Sequence, residues 1–125
     1  MIEDPLGILP YNDEQTLYRA ATGHKWIKSD GSVRRQAFYR RMPPNDRHGL
    51  SCSPFLEHCR DGLREKTYGT VTITVRNIRR TNLEAIPDTP THGNIVGMPD
   101  REGEDRARHD FIAQTLADLA RSLPE

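Results

Sequence analysis

The chain has 125 residues, a length that fits one compact domain and excludes a second core of useful size. Only 34% of the residues are hydrophobic, so no segment approaches the roughly 18 to 20 consecutive apolar residues of a membrane-spanning helix. The net charge of zero removes the usual electrostatic argument for a nucleic-acid partner. With two cysteines, an acidic start and no apolar leader, the sequence predicts a cytoplasmic protein without a disulfide framework or membrane contact.

Short strands are predicted in the first half of the chain. Residues 1–15 contain repeated proline and glycine without periodicity and predict an N-terminal arm, which leaves residues 16–125 as one domain. Residues 17–20 predict a short strand or a helical turn, and residues 33–39 and 50–53 predict a second and a third strand.

A helix and the most regular strand are predicted next. Ser53 and Pro54 favour a helix start, because serine caps the free N–H groups and proline is tolerated at the first helical position. Residues 69–76 alternate valine or isoleucine with threonine, which is the period of two expected of a strand with one buried face.

The last third of the chain predicts a long irregular connection and a closing helix. Proline and glycine recur between residues 87 and 99, which leaves room only for a short strand near 94–96. Apolar residues at amphipathic spacing predict a helix over residues 105–122. The order of elements predicts an α+β fold, with a small, mostly antiparallel or mixed sheet and two covering helices.

The zero net charge hides an uneven distribution. Residues 19–80 hold 14 Lys or Arg against 5 Asp or Glu, while residues 81–125 hold 9 acids against 4 bases. Arginine accounts for 15 of the 18 bases, and its planar fork suits phosphate or carboxylate. An ordinary solvated face also produces such a run, so both interpretations stay open.

Aromatic residues are interleaved with these bases, a mixture typical of proteins that bind single-stranded nucleic acid. The residues expected to form a binding face are Lys25, Trp26, Arg34, Arg35, Arg40, Arg41 and Arg47. His92 is a further binding candidate because it stands beside Gly93 in an irregular segment, and a simple turn histidine is the competing interpretation, which the pattern favours. The leading expectation is a small binding module for an anionic partner, either nucleic acid or an acidic protein surface, without a cofactor. Recognition of one specific protein and the oligomeric state stay open.

Metal and thiol chemistry find little support in the spacing of the candidate residues. His48, Cys52, His58 and Cys59 lie within 12 residues, but they lack the paired ligands of zinc knuckles, so no metal is expected. Cys52 could act as a nucleophile with His48, His58 or His92 as its base, yet no hydrolase signature accompanies it. Neither glycine-rich phosphate-loop motif occurs, which argues against a conventional NTPase or dinucleotide dehydrogenase.

Residues 16–76 resemble the opening half of small ADP-ribosyltransferase-fold proteins, including RES-type toxins. The resemblance is carried by Leu17-Tyr18-Arg19, Ala37-Phe38-Tyr39 and Gly49-Leu50-Ser51-Cys52-Ser53. It implies NAD as the substrate, with Arg19 holding the dinucleotide, Tyr39 stacking on nicotinamide and Ser51 on a neighbouring strand. The alternative expectation is therefore an NAD-consuming or ADP-ribosyl-transferring enzyme, and whether the protein is an enzyme stays open.

Overall fold

A computed structural model describes residues 9–41, 46, 48–61, 63 and 66–123 of the chain. Within these residues, six strands form two three-stranded sheets, accompanied by one long helix, one short helix and three 3₁₀ turns. The strands and helices in chain order are β1 (Thr16–Ala20), β2 (Leu50–Cys52), β3 (Thr70–Thr74), α1 (Val75–Arg80), β4 (Glu84–Thr89), β5 (His92–Val96), α2 (Arg106–Leu119) and β6 (Arg121–Leu123).

Both sheets are antiparallel, with strand orders β1-β3-β6 and β2-β5-β4. Tyr18 and Ser53 connect them, since each backbone N–H donates to the carbonyl of the other, at 2.8 and 2.9 Å. The protein is thus an α+β domain, as the sequence predicts. No helix in the described part of the chain is long and apolar enough to span a membrane.

The core lies between the sheets and the helices. Tyr11 also belongs to it, with 7% exposure, so the segment before β1 packs onto the rest of the protein. The most deeply buried large apolar side chains are Leu17, Phe38, Val71, Val75, Ile78, Ile95 and Leu116.

The strand predicted over residues 33–39 is wrong. A 3₁₀ turn at Arg35–Phe38 takes its place and packs against α2. Ala37 and Phe38 are both fully buried although they are adjacent. A strand would send these two neighbours to opposite faces, whereas the turn buries both.

The helix predicted from Ser53 is also wrong, because only a 3₁₀ turn at Leu56–His58 follows. The Ser53 hydroxyl does accept a hydrogen bond from the Phe55 N–H at 3.0 Å. Ser53 is nevertheless held in an extended bridge to β1, and Phe55 and Leu56 stay 45% and 47% exposed. Without an apolar face to bury, the segment has little tertiary reason to continue as an α-helix.

The strand predicted over residues 69–76 forms as β3 but ends at Thr74, whose hydroxyl accepts a hydrogen bond from the Asn77 N–H at 3.3 Å and so caps α1. The predicted irregular connection is instead the hairpin of β4 and β5. Pro87 is accommodated because β4 is an edge strand with a register shift between Pro87 and Thr89. The closing helix forms as α2 and stops at Leu119, because the chain then pairs with β3 as β6.

Candidate functional site

Three polar side chains on the second sheet form a chain of hydrogen bonds. The Ser51 Oγ lies 2.6 Å from His92 Nε2, and His92 Nδ1 lies 2.7 Å from the Asp88 Oδ1. The Asn94 amide donates to the other oxygen of Asp88 at 3.0 Å. We call Ser51, His92 and Asp88 the serine triad.

Strand register explains why these residues meet. Ser51 pairs with Asn94 across β2 and β5, so their side chains share one face, and His92 joins them two residues earlier on β5. Leu50 and Cys52 on the opposite face are buried in the core. Asp88 lies at the register shift of β4, just before the turn into β5.

The charge of Asp88 fixes the proton on His92. Partial burial alone would raise the pKa of Asp88, but the hydrogen bond and charge of His92, with the bond from Asn94, hold that pKa below its ordinary value. In the tautomer that completes this hydrogen-bond network, Nδ1–H donates to the ionised carboxylate and Nε2 carries the lone pair. The Ser51 hydroxyl then donates to Nε2, which is the arrangement of a serine beside its general base.

A buried ion cluster of Arg19, Arg41 and Asp46 supports Ser51 from behind. The Ser51 N–H donates to the Asp46 Oδ1 at 2.9 Å, and the Ser51 carbonyl accepts from Arg19 Nη1 at 2.9 Å. Arg19 and Asp46 are 2% and 0% exposed and join through two hydrogen bonds of 3.0 and 2.8 Å. Burial would raise the pKa of Asp46, but Arg19 and Arg41 outweigh it and keep that pKa well below its ordinary value.

All five N–H groups of Arg19 are already used. Besides the bonds to Asp46 and Ser51, Nε donates to the Ala37 carbonyl at 2.8 Å and Nη2 to the Tyr39 carbonyl at 3.1 Å. A pyrophosphate could be bound only by breaking one of these bonds. Arg19 therefore anchors the strand that carries Ser51, and we do not place it in the proposed site.

The side chain of Tyr39 contacts Asp110, Arg101 and His109. Its hydroxyl donates to Asp110 at 3.3 Å, and the guanidinium carbon of Arg101 lies 4.1 Å from the ring centroid. Within the predicted trio, the hydrogen bonds observed among the described residues join Arg19 to the backbone carbonyls of Tyr39 and Ser51.

The predicted basic face divides into an inner and an outer part. Trp26 is buried, with the guanidinium carbons of Arg19 and Arg41 5.2 and 5.7 Å from its ring centroid. Arg41 is 11% exposed and bonds to Asp46. The exposed members are Lys25, Arg34, Arg35 and Arg40, while Arg47 lies outside the described residues.

A cavity of about 450 Å³ adjoins β2 and β5. Five charged or ionisable side chains line it, and they are Arg40, His48, Asp100, Arg101 and His109. A second concavity, of about 720 Å³, lies elsewhere on the surface and includes Lys28, Lys66 and Tyr68.

Cys52 is not suited to nucleophilic chemistry. Burial raises the pKa of its thiol to about 12, which keeps it protonated at neutral pH. His58 instead pairs with Asp61 at 2.8 Å. Among the described residues, no three His, Cys, Asp or Glu side chains are grouped so that they could hold a metal ion.

Sequence analysis selected Ser51 and His92 for different reasons and missed Asp88 and Asn94. The signal that could have found them is an acid and a histidine on either side of a Thr-Pro-Thr turn, the pattern of a hairpin that brings both side chains to one face. No family model matches the chain, and comparisons with curated proteins and with solved structures find no match. Function is therefore inferred from the chemistry of the site.

Proposed function

We propose that the protein is an enzyme that uses Ser51 as a nucleophile to hydrolyse or transfer an acyl group. The observation that carries this proposal is the unbroken hydrogen-bond chain from the Ser51 Oγ through His92 to the Asp88 carboxylate. Ser51 is half-buried, and both His92 and Asp88 are 39% exposed, so a substrate reaches the site from solvent.

The reaction follows from the positions of the protons. The Ser51 Oγ attacks the carbonyl carbon of an ester, thioester or amide while its proton moves to His92 Nε2. Collapse of the tetrahedral intermediate breaks the bond to the leaving group, which takes the proton from Nε2. Water then attacks the acyl-serine, with His92 again accepting a proton and returning it to Ser51. Asp88 stays ionised and stabilises the imidazolium.

The hydrogen bonds that hold Ser51 and Asp88 in place also favour a catalytic role for these residues over an incidental polar contact. Both backbone polar groups of Ser51 are held by Arg19 and Asp46, and Asp88 is held by Asn94. A reacting group fixed by its surroundings pays little cost in reorganisation when the reaction begins.

Covalent labelling tests the proposal. We expect a fluorophosphonate probe to modify Ser51, as located by mass spectrometry, and p-nitrophenyl acetate to be hydrolysed. Ser51→Ala should abolish labelling, and Asp88→Asn should slow it by about 10²- to 10⁴-fold, the usual contribution of general-base catalysis.

The chain offers a matched control in the pair of His58 and Asp61, whose 2.8 Å contact resembles that of His92 and Asp88. No hydrogen bond to a serine hydroxyl is observed for His58 within the described residues. His58→Gln should therefore leave the labelling rate unchanged, while His92→Gln removes it. A folded wild-type protein that is not labelled at Ser51 contradicts the proposal.

Binding of an anionic partner is the second candidate function, favoured by the exposure of Lys25, Arg34 and Arg35. If these residues contact phosphates, affinity for single-stranded nucleic acid should fall with salt, and Arg34→Gln should reduce the slope. The NAD-consuming alternative stays a prediction, for which release of nicotinamide is the measurement.

A further inference from the structure

The cavity beside β2 is lined by the residues that immediately precede Ser51 in the chain. His48, Gly49 and Leu50 line it and lead directly into Ser51, while Ile95 and Val96 line it from the neighbouring strand. At about 3.3 Å per residue, the Cα atom of Gly49 lies about 7 Å from that of Ser51 along the strand. A small molecule in the cavity would therefore have to extend about 7 Å along this strand to reach Ser51.

The cavity lies at the start of β2 and the end of β5, where residues of both strand faces line it: Gly49 and Val96 on the face of Ser51, Leu50 and Ile95 on the other. A Cβ atom at Gly49 would lie 3.2 Å from the Asn94 Cβ and 3.1 Å from the Val96 Cγ1. Asn94 shares its face with Ser51, so a side chain at position 49 would point to that face. The same Cβ would lie 2.7 Å from the Ile95 carbonyl oxygen, so a larger residue would clash there.

The charges around the cavity favour an anion. Two arginines, Arg40 and Arg101, line it with one acid, Asp100, and two imidazoles, His48 and His109. The neighbouring carboxylate of Asp110 is already engaged by His109 and Tyr39, and Arg40 donates one hydrogen bond, from Nε, to the Asp46 carbonyl. The Arg101 guanidinium stacks on the Tyr39 ring, a contact that orients its plane and leaves its N–H edge available for hydrogen bonds.

His109 is 3% exposed and is oriented by Asp110, whose oxygen lies 3.1 Å from its Nδ1. The hydrogen bond from His109 is the main cause that lowers the pKa of Asp110. Asp110 is therefore ionised and fixes the orientation of an imidazole in the cavity wall.

We propose that this cavity binds a phosphate group of a small-molecule substrate and thereby positions the acyl group at Ser51. A volume of about 450 Å³ is that of a small-molecule site rather than a groove for a polymer. A phosphate carries up to two negative charges and three terminal oxygens, which suits arginine forks better than a single carboxylate does. The assignment of a substrate rests on the proposed function, whereas the binding of phosphate can be measured without it.

Titration followed by NMR tests the proposal, with inorganic phosphate and acetate as probes at constant ionic strength. We expect phosphate to shift amides of residues 48–50, 95–101 and 109 and to bind at least tenfold more tightly than acetate. Arg101→Gln should weaken phosphate binding at least tenfold. Arg108→Gln is the matched control, because Arg108 is exposed on α2 and does not line the cavity.

The possible results test the phosphate site and the proposed function separately. Ser51→Ala should bind phosphate as tightly as the wild-type protein, although it has lost the nucleophile. Phosphate binding without labelling of Ser51 would refute the proposed function and leave the phosphate site standing. Labelling without phosphate binding, equal binding by Arg101→Gln, or a preference for acetate would each overturn the phosphate site.

Discussion

Replacing Asp46 by asparagine should destabilise the protein more than any exposed substitution. The Asp46 side chain is fully buried and accepts six hydrogen bonds, from Arg19, Arg41 and the Ser51 backbone. Asparagine keeps the volume but removes the charge and turns two N–H groups toward the arginines. Because Arg19 is 2% exposed, it would be left as a buried cation without a counter-charge. Removing one partner of a buried ion pair costs about 3–5 kcal/mol.

Urea denaturation followed by tryptophan fluorescence measures this loss. Trp26 is the only tryptophan, and it is buried beside Arg19 and Arg41, so its emission reports on the ion cluster itself. With an m-value of about 1.5–2 kcal/mol/M, the urea midpoint should fall by about 2 M. Asp118→Asn, at an exposed site on α2, is the matched control and should change stability by about 0.5 kcal/mol or less. A midpoint for Asp46→Asn within the range of that control would refute the reasoning.

The dependence of stability on pH has a definite sign at Asp46. Its pKa is lowered in the folded state, so its contribution is fully present above the unfolded value of about 3.9. The contribution is lost as the pH falls below that value toward the folded pKa. The wild-type protein should therefore lose stability below about pH 4 more steeply than Asp46→Asn, which has no carboxyl group at that position.

Three further predictions each concern a single residue: Tyr11, Gly49 and Cys59. Tyr11→Phe should raise the free energy of unfolding by about 1 kcal/mol, because the buried hydroxyl has no hydrogen-bond partner among the described residues; a loss of stability would show that the hydroxyl is satisfied. Gly49→Ala should lower it by about 1–3 kcal/mol, since φ is +143° and a Cβ would meet the Ile95 carbonyl; an unchanged melting temperature would contradict this. Iodoacetamide should modify Cys59 before Cys52, which is 3% exposed; peptide mapping that finds the reverse order would contradict the burial of Cys52.

Regular patterns in the sequence were sufficient for the elements that bury one face. Val71 and Ile73 alternate with threonines and form β3, and Leu116 lies on the buried face of α2. Residues 33–39 lacked such a face, because three consecutive polar residues, Arg34, Arg35 and Gln36, precede Ala37, Phe38 and Tyr39. Their conformation is decided by contact with α2, which lies about 70 residues later in the chain and leaves no local signal.

The site was predictable residue by residue but not as a unit. Ser51 and His92 were singled out, yet their contact depends on the register of β2 against β5, which short strands do not specify in sequence. Asp88 was missed because prolines and glycines around it indicate an irregular connection. The edge position of β4 is what allows those residues in a strand, and edge position is a property of the assembled sheet.

Arg19 was expected to bind a ligand, and the contacts that engage all five of its N–H groups are also tertiary. Asp46 lies 27 residues after Arg19 in the chain, so nothing in the sequence pairs the two. Once paired, their cluster holds both backbone polar groups of Ser51. The backbone of the proposed nucleophile is thus hydrogen-bonded to a buried charge pair.

Two explanations of the hydrogen bonds to the Ser51 backbone can be distinguished by experiment. If the ion cluster only stabilises the fold, Asp46→Asn should lower fluorophosphonate labelling of Ser51 no further than its unfolded fraction requires. If the cluster also positions Ser51, the folded fraction should react at least tenfold more slowly, since small displacements of a reacting atom cost large factors in rate. Labelling rates without urea, divided by the folded fraction from the urea curves, distinguish the two. Equal corrected rates would show that the strand pairing of β2 with β5 holds Ser51 without help from Asp46.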